Sequence, residues 1–276
     1  MTRRGTARRI ALGVLAAAAL SGAARADAPP RPSHARAAAL VDAELHVAFD
    51  RDARLGRPTG IALDLRVDLR HQPARMTAIT ILAPAGVDVA TSGLGLATCR
   101  PSAHALSDVL VRGHRLPACP RNSVFGRGEA TASLRSRPDE TVGATGAVLL
   151  ANGPPSGDAP GVVAVVDTRH PLRAQLVFAG TLLEAPFPFG LGIHLPLPDI
   201  PRSPFGAPVS LTRLRFTLGG KDIVYSEGSR RYRPGGLPLP TRCPRGGFRF
   251  RATMTFADDT SRAVGATIAC SAVRRP

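Results

Sequence analysis

The feature that most constrains this chain is a side-chain period of two. Ile61, Leu63, Leu65, Val67 and Leu69 alternate with Ala62, Asp64, Arg66 and Asp68. Successive side chains of an extended chain point to opposite faces, so this segment reads as a half-buried strand with its aliphatic side on a core. Leu45, Val47 and Phe49 repeat the pattern, and near the C-terminus Phe248, Phe250, Ala252, Met254 and Phe256 alternate with Arg249, Arg251, Thr253 and Thr255. Weaker versions run over 172–182 and 211–218. The stretches 76–83, 142–151 and 161–166 are apolar without alternation and bounded by Pro, Gly or Asn, as in strands buried on both faces.

Turn clusters at 152–157 and 257–261 separate these runs. With Gly 28 and Pro 26 the chain is rich in turns rather than long helices. The pattern predicts an all-β protein: a β-sandwich, immunoglobulin-like or jelly-roll-like, over residues 40–276. One short helix is expected at 102–111, where Ala103, Leu106 and Leu110 share a face. A hinge is expected at 196–208, and two small β domains are the alternative. The stretch 184–198 is apolar but broken by proline, which cannot donate to a sheet ladder, so it reads as edge strand or extended chain. Phe187, Phe189, Leu191, Ile193 and Leu195 are its candidate apolar patch for lipid or a protein partner.

Residues 1–26 have the form of a secretory signal peptide. Arg3, Arg4, Arg8 and Arg9 precede an apolar run ending at Leu20, and Ala24 and Ala26 supply the small residues a signal peptidase reads. The run is shorter than the roughly 20 residues a membrane-spanning helix needs. A retained anchor and export by the twin-arginine route are the competing readings. Residues 27–39, rich in Ala, Pro and Arg, read as a flexible leader. No later stretch is apolar enough to span a bilayer as a helix, so the mature chain is expected to be secreted or held in the cell envelope.

The formal charge of +16 suggests nucleic acid at first sight. Cleavage after residue 26 removes five arginines and leaves +11. Nucleic-acid binding would set basic residues beside aromatics on one surface. Here Arg249 and Arg251 alternate with Phe248 and Phe250 and so face away from them, and the chain has no Trp and only 2 Tyr. The expected partners are anionic envelope polymer, lipid headgroups or another secreted protein, not nucleic acid. The candidate contact residues are Arg213, Arg215, Arg230, Arg231, Arg233, Arg249 and Arg251, within a C-terminal third that also carries Arg242 and Arg245.

Four cysteines in an exported chain are expected to pair. Of the three connectivities, proximity in sequence favours Cys99–Cys119 and Cys243–Cys270, the second tying a hairpin that turns at Asp258 and Asp259. A zinc site is the competing reading, with neither a C-x2-C pair nor clustered histidines behind it. The run Cys119, Pro120, Ser123, Gly126, Gly128 and Ala130, with Cys99 upstream, resembles the C…CPxxSxxGxGxA pattern of uncharacterised secreted actinobacterial proteins. That resemblance implies a secreted β-rich protein with two disulfides and brings no catalytic residues. Physically the motif reads as structure: Ser123 bonding local backbone, Gly126 and Gly128 giving room for close packing.

The catalytic signatures of hydrolases, zinc proteases, P-loops and dinucleotide folds are missing from the sequence. No cofactor is expected. The leading expectation is a non-catalytic envelope module for binding or structure. A second is an interaction protein using 187–198. A third is a hydrolase with a composite site around His194 or His170.

Overall fold

A computed structural model describes residues 41–69, 74–87, 97–101, 119–137, 140–170, 174–197, 209–220, 223–227 and 229–275. The expected signal peptide, leader and short helix lie outside these residues, as does most of the expected hinge. The described strands are β1 (Val41–Phe49), β2 (Pro58–Thr59), β3 (Ile61–Leu69), β4 (Met76–Pro84), β5 (Val124–Arg137), β6 (Glu140–Ser156), β7 (Ala159–His170) and β8 (Ala174–Glu184). They continue with β9 (Phe189–Pro196), β10 (Val209–Leu218), β11 (Tyr225–Glu227), β12 (Arg230–Tyr232), β13 (Leu237–Pro238), β14 (Phe248–Phe256) and β15 (Ser261–Ile268). The chain is all-β, as its alternation predicts.

Eleven strands make one antiparallel sheet in the order β1-β3-β10-β5-β6-β7-β8-β9-β4-β14-β15. The sheet curls until its two edges lie against each other: β1 touches β15, and the Phe49 ring meets Phe248 edge-on at 5.1 Å. The facing layers of a sandwich are here two walls of one rolled sheet. Aliphatic and aromatic side chains of β3, β5 and β10 meet those of β4, β8, β9 and β14 around a small apolar cavity of about 40 Å³. Leu65, Ile79, Phe248 and Met254 are fully buried. Each is worth about 2 kcal/mol of hydrophobic burial.

An odd number of strands has a geometric consequence. In an antiparallel sheet of eleven, the first and last strands run in the same direction, so β1 and β15 meet parallel; they remain the two ends of the strand order, unpaired with each other. Arg262 of β15 pairs in register with the core-facing Met254 and is half-buried, and its Nε has no hydrogen-bond partner among the described residues. An inward charge of this kind discourages a further strand from adding at an edge.

Two irregularities hid elements from the alternation. Leu211 and Leu214 have opposite parity, yet Leu214 is core and Leu211 packs against it, because a bulge between Leu211 and Arg213 shifts the register. The expected turn cluster 152–157 is mostly strand: β6 runs through Ser156, and the hairpin turns at Gly157 and Asp158. Pro154 and Pro155 fit because the ladder skips from Gly153 to Ser156 there, so no amide is missed.

The run 161–166 is buried on both faces as expected. Val162 and Ala164 enter the central core, whereas Val163 and Val165 join Val124, Val177, Ile223 and Cys99 in a second cluster outside the sheet. The Cys99–Cys119 disulfide covers that cluster. Asn152 docks its strand: the Cys99 amide donates to the Asn152 carbonyl at 2.7 Å, and Asn152 Nδ2 donates to the Ala97 carbonyl at 3.3 Å. Cys243–Cys270 closes the segment holding the β14–β15 hairpin. With separations of 20 and 27 residues, each cross-link contributes about 3–4 kcal/mol through the unfolded chain.

Candidate functional site: two populations of arginine

The candidate arginines fall into two environments. Arg213 and Arg215 lie on the outward face of β10, between β3 and β5. In register Arg215 faces Asp64 on one side and Glu129 on the other. Arg213 reaches diagonally to Asp64 with both prongs, Nε to Oδ1 at 2.8 Å and Nη2 to Oδ2 at 2.5 Å. Arg66 adds a longer contact of 3.6 Å to the same carboxylate. The Asp64 side chain is only 18% exposed, and the Arg213 hydrogen bonds hold its carboxyl below the usual carboxylate range against the opposing effect of burial. Arg213 is correspondingly raised by Asp64. This is an internally compensated wall, on which Asp64 serves as a structural acid.

Arg249 and Arg251 also face outward, on β14, but their ladder neighbours are uncharged. Arg249 faces Thr267, and Arg251 faces Gly265 and Leu82. Arg251 lies over the Phe189 ring, its guanidinium carbon 5.4 Å from the centroid. Arg231 and Arg233 are exposed, while the side chain of Arg230 lies outside the described residues.

The strand directions put the loop before β2, the segment 219–247 and the C-terminal segment after β15 at one end of the rolled sheet. The loops interlock in series across that end. The Ala85 amide donates to the Pro188 carbonyl, the Gly56 amide to the Pro240 carbonyl and the Leu55 amide to the Arg274 carbonyl, each at 3.0 Å. Gly86 closes the gap between the first two contacts. Its φ is +79°, and a Cβ added there would lie 3.1 Å from the Pro240 side chain. Exposed arginines therefore rim this end: Arg54, Arg57, Arg233, Arg242, Arg245 and Arg274. Sequence reasoning missed Arg54, Arg57 and Arg274, which come from opposite termini. The available signal was the charged loop from Asp50 to Arg57, which no strand pattern absorbs. Its acids, Asp50 and Asp52, line a recess of about 190 Å³ together with Arg233.

The apolar candidates require correction. Ile193 and Leu195 belong to the core and Leu191 packs against it. Phe189 is buried beneath Arg251. Phe187 alone of the five is out in water, at 90% exposure on the turn between β8 and β9. The two phenylalanines do not form one patch because residues 187–188 form a turn, and a bulge re-aims β9 opposite Ala83 and Pro84 of its partner.

The remaining candidates are structural in their surroundings. Ser123 Oγ donates to the Pro120 carbonyl at 2.7 Å. A Cβ on Gly128 would lie 2.0 Å from the Arg215 carbonyl oxygen, and one on Gly126 2.9 Å from Leu218. The Asp258 carboxylate accepts from the Thr260 amide and hydroxyl, fixing the β14–β15 turn with Asp259 at φ +62°. His194 Nδ1 lies 2.9 Å from Thr80 Oγ1, and the two residues share a register row with Thr181. The His170 side chain lies outside the described residues. Among the described residues no group of three or more His, Cys, Asp or Glu is placed to hold a metal, and no helix is long and apolar enough to cross a membrane. No family model matches this chain, and neither a curated protein nor a solved structure matches it at a significant level.

Proposed function

We propose that the protein is an exported, non-catalytic module of the cell envelope that docks on an anionic surface through the arginine-rimmed end of its rolled sheet. One observation carries this reading: arginines on the β10 wall have carboxylate neighbours, whereas those on β14 face uncharged ladder partners, and Arg54, Arg57, Arg242, Arg245 and Arg274 around the end are exposed, with Arg233 sharing a recess with Asp50 and Asp52. This second group, Arg233 apart, is the one open to solvent and to a partner's charge. The form of residues 1–26, the resemblance to secreted actinobacterial proteins and the two disulfides all support an oxidising location outside the cytoplasm. Clustered cations attract anionic headgroups or wall polymer over a Debye length of about 8 Å at physiological salt.

Co-sedimentation with anionic vesicles, neutral vesicles and purified wall material, at low and high salt, tests the proposal. The expected result is binding to anionic material only, weakening steeply as salt rises. Binding that ignores salt, or no binding, overturns it.

A further inference from the structure

We infer that the anionic surface is a lipid bilayer and that Phe187 enters it as an apolar wedge; this rests on the arginine-rimmed end being the docking face. Every other described phenylalanine is buried or half-buried, but Phe187 is 90% exposed at the tip of a short turn. The turn belongs to the arginine-rimmed end. Pro188 is hydrogen-bonded to Ala85, the neighbouring Gly86 sits against Pro240, and Pro240 is hydrogen-bonded to Gly56. Arg242 follows Pro240 by two residues, and Arg54 and Arg57 flank Gly56. The acid nearest in sequence, Glu184, is exposed at the end of β8, at the base of the turn rather than its tip.

A fully exposed phenylalanine among cations fits one kind of partner better than the others. A protein interface needs about 1,000 Å² of complementary surface around an apolar centre, and one phenylalanine does not supply it. A soluble polyanion or wall polymer engages arginines but has no apolar phase to receive a phenyl ring. A bilayer has both: headgroup charge for the guanidiniums and, a few ångströms deeper, an apolar boundary for the ring. Burying a phenylalanine there strengthens binding about tenfold or more.

The chain contains no tryptophan, so Phe187→Trp installs a sole reporter at an exposed position. Its emission is measured with phosphatidylcholine vesicles, with the same vesicles containing phosphatidylglycerol, and with soluble polyglutamate. Ala257→Trp, on the exposed β14–β15 turn at the opposite end, is the control. The expected result is a blue shift, and quenching by brominated acyl chains, for Phe187→Trp on phosphatidylglycerol vesicles alone. Phe187→Ser should weaken vesicle binding about tenfold and leave polyglutamate binding unchanged. Vesicle binding without a shift, or an equal shift from Ala257→Trp, overturns the wedge while leaving electrostatic docking in place. Failure to bind both phosphatidylglycerol vesicles and polyglutamate overturns both readings.

Discussion

Arg213 on β10 and Arg249 on β14 occupy the same kind of position, the outward face of an antiparallel strand whose other face is core. Their surroundings differ in what lies across the ladder. β10 is flanked by β3 and β5, which bring Asp64 and Glu129 beside its arginines, whereas β14 is flanked by β4 and β15, which bring Leu82, Gly265 and Thr267. The excess of arginine is therefore two populations. One is neutralised locally and belongs to the fold; the other is left for solvent or a partner. Net charge alone does not separate them, but register does.

The comparison breaks most severely at Gly128. A Cβ there would lie 2.0 Å from the Arg215 carbonyl and 2.5 Å from the Phe216 Cα, with backbone that cannot swing away. Gly128→Ala should cost about 3 kcal/mol by prying β5 from β10 and separating Arg215 from Glu129. Thermal unfolding of the oxidised protein measures it, and a wild-type midpoint would contradict this strand order. Next in size is the docking end. Arg54→Gln with Arg242→Gln should lower affinity for anionic vesicles by about tenfold or more, at about 1 kcal/mol per arginine, with the unfolding midpoint unmoved.

Asp64→Asn should do the reverse. Losing the bidentate partner of Arg213 costs about 1 kcal/mol of stability, since the pair is partly open to solvent. Vesicle affinity should not fall. The smallest effect is the pH dependence of that carboxylate. Its folded value is depressed below 3.8, chiefly by the Arg213 hydrogen bonds. Its contribution is thus fully present above the ordinary carboxylate range and lost as pH falls below it, through the lower folded value. Comparing wild type with Asp64→Asn by urea titration below about pH 4 should show this component of acid sensitivity in the wild type alone.

Much of the scaffold was legible because burial imposes alternation. The inward sets of 61–69 and 248–256 can be read directly, and each disulfide joins cysteines close in the chain. Strand order was not legible. β10 inserts between β3 and β5 although Arg213 and Asp64 lie 149 positions apart in sequence. Nothing local to either residue announces their pairing. Thr212 illustrates a second limit: one bulged residue puts Leu211 and Leu214 on the same side and weakens the signal that would have marked the strand. Phe187 and Phe189 illustrate a third, since parity holds only within a strand and the first of them lies in a turn. The arginine rim was half-visible: the C-terminal third is plainly basic, but Arg54 and Arg57 join it only through loop contacts across the end of the sheet.

The division between the two populations is tested most directly by measuring anionic-vesicle affinity against salt for two double variants of equal charge loss, Arg213→Gln/Arg215→Gln and Arg54→Gln/Arg242→Gln. The second should bind more weakly and with a shallower salt dependence, while the first, if folded by circular dichroism, should retain wild-type affinity and slope. Equal losses from both would show that binding follows net charge, and would contradict the division of the surface into a compensated wall and a docking end.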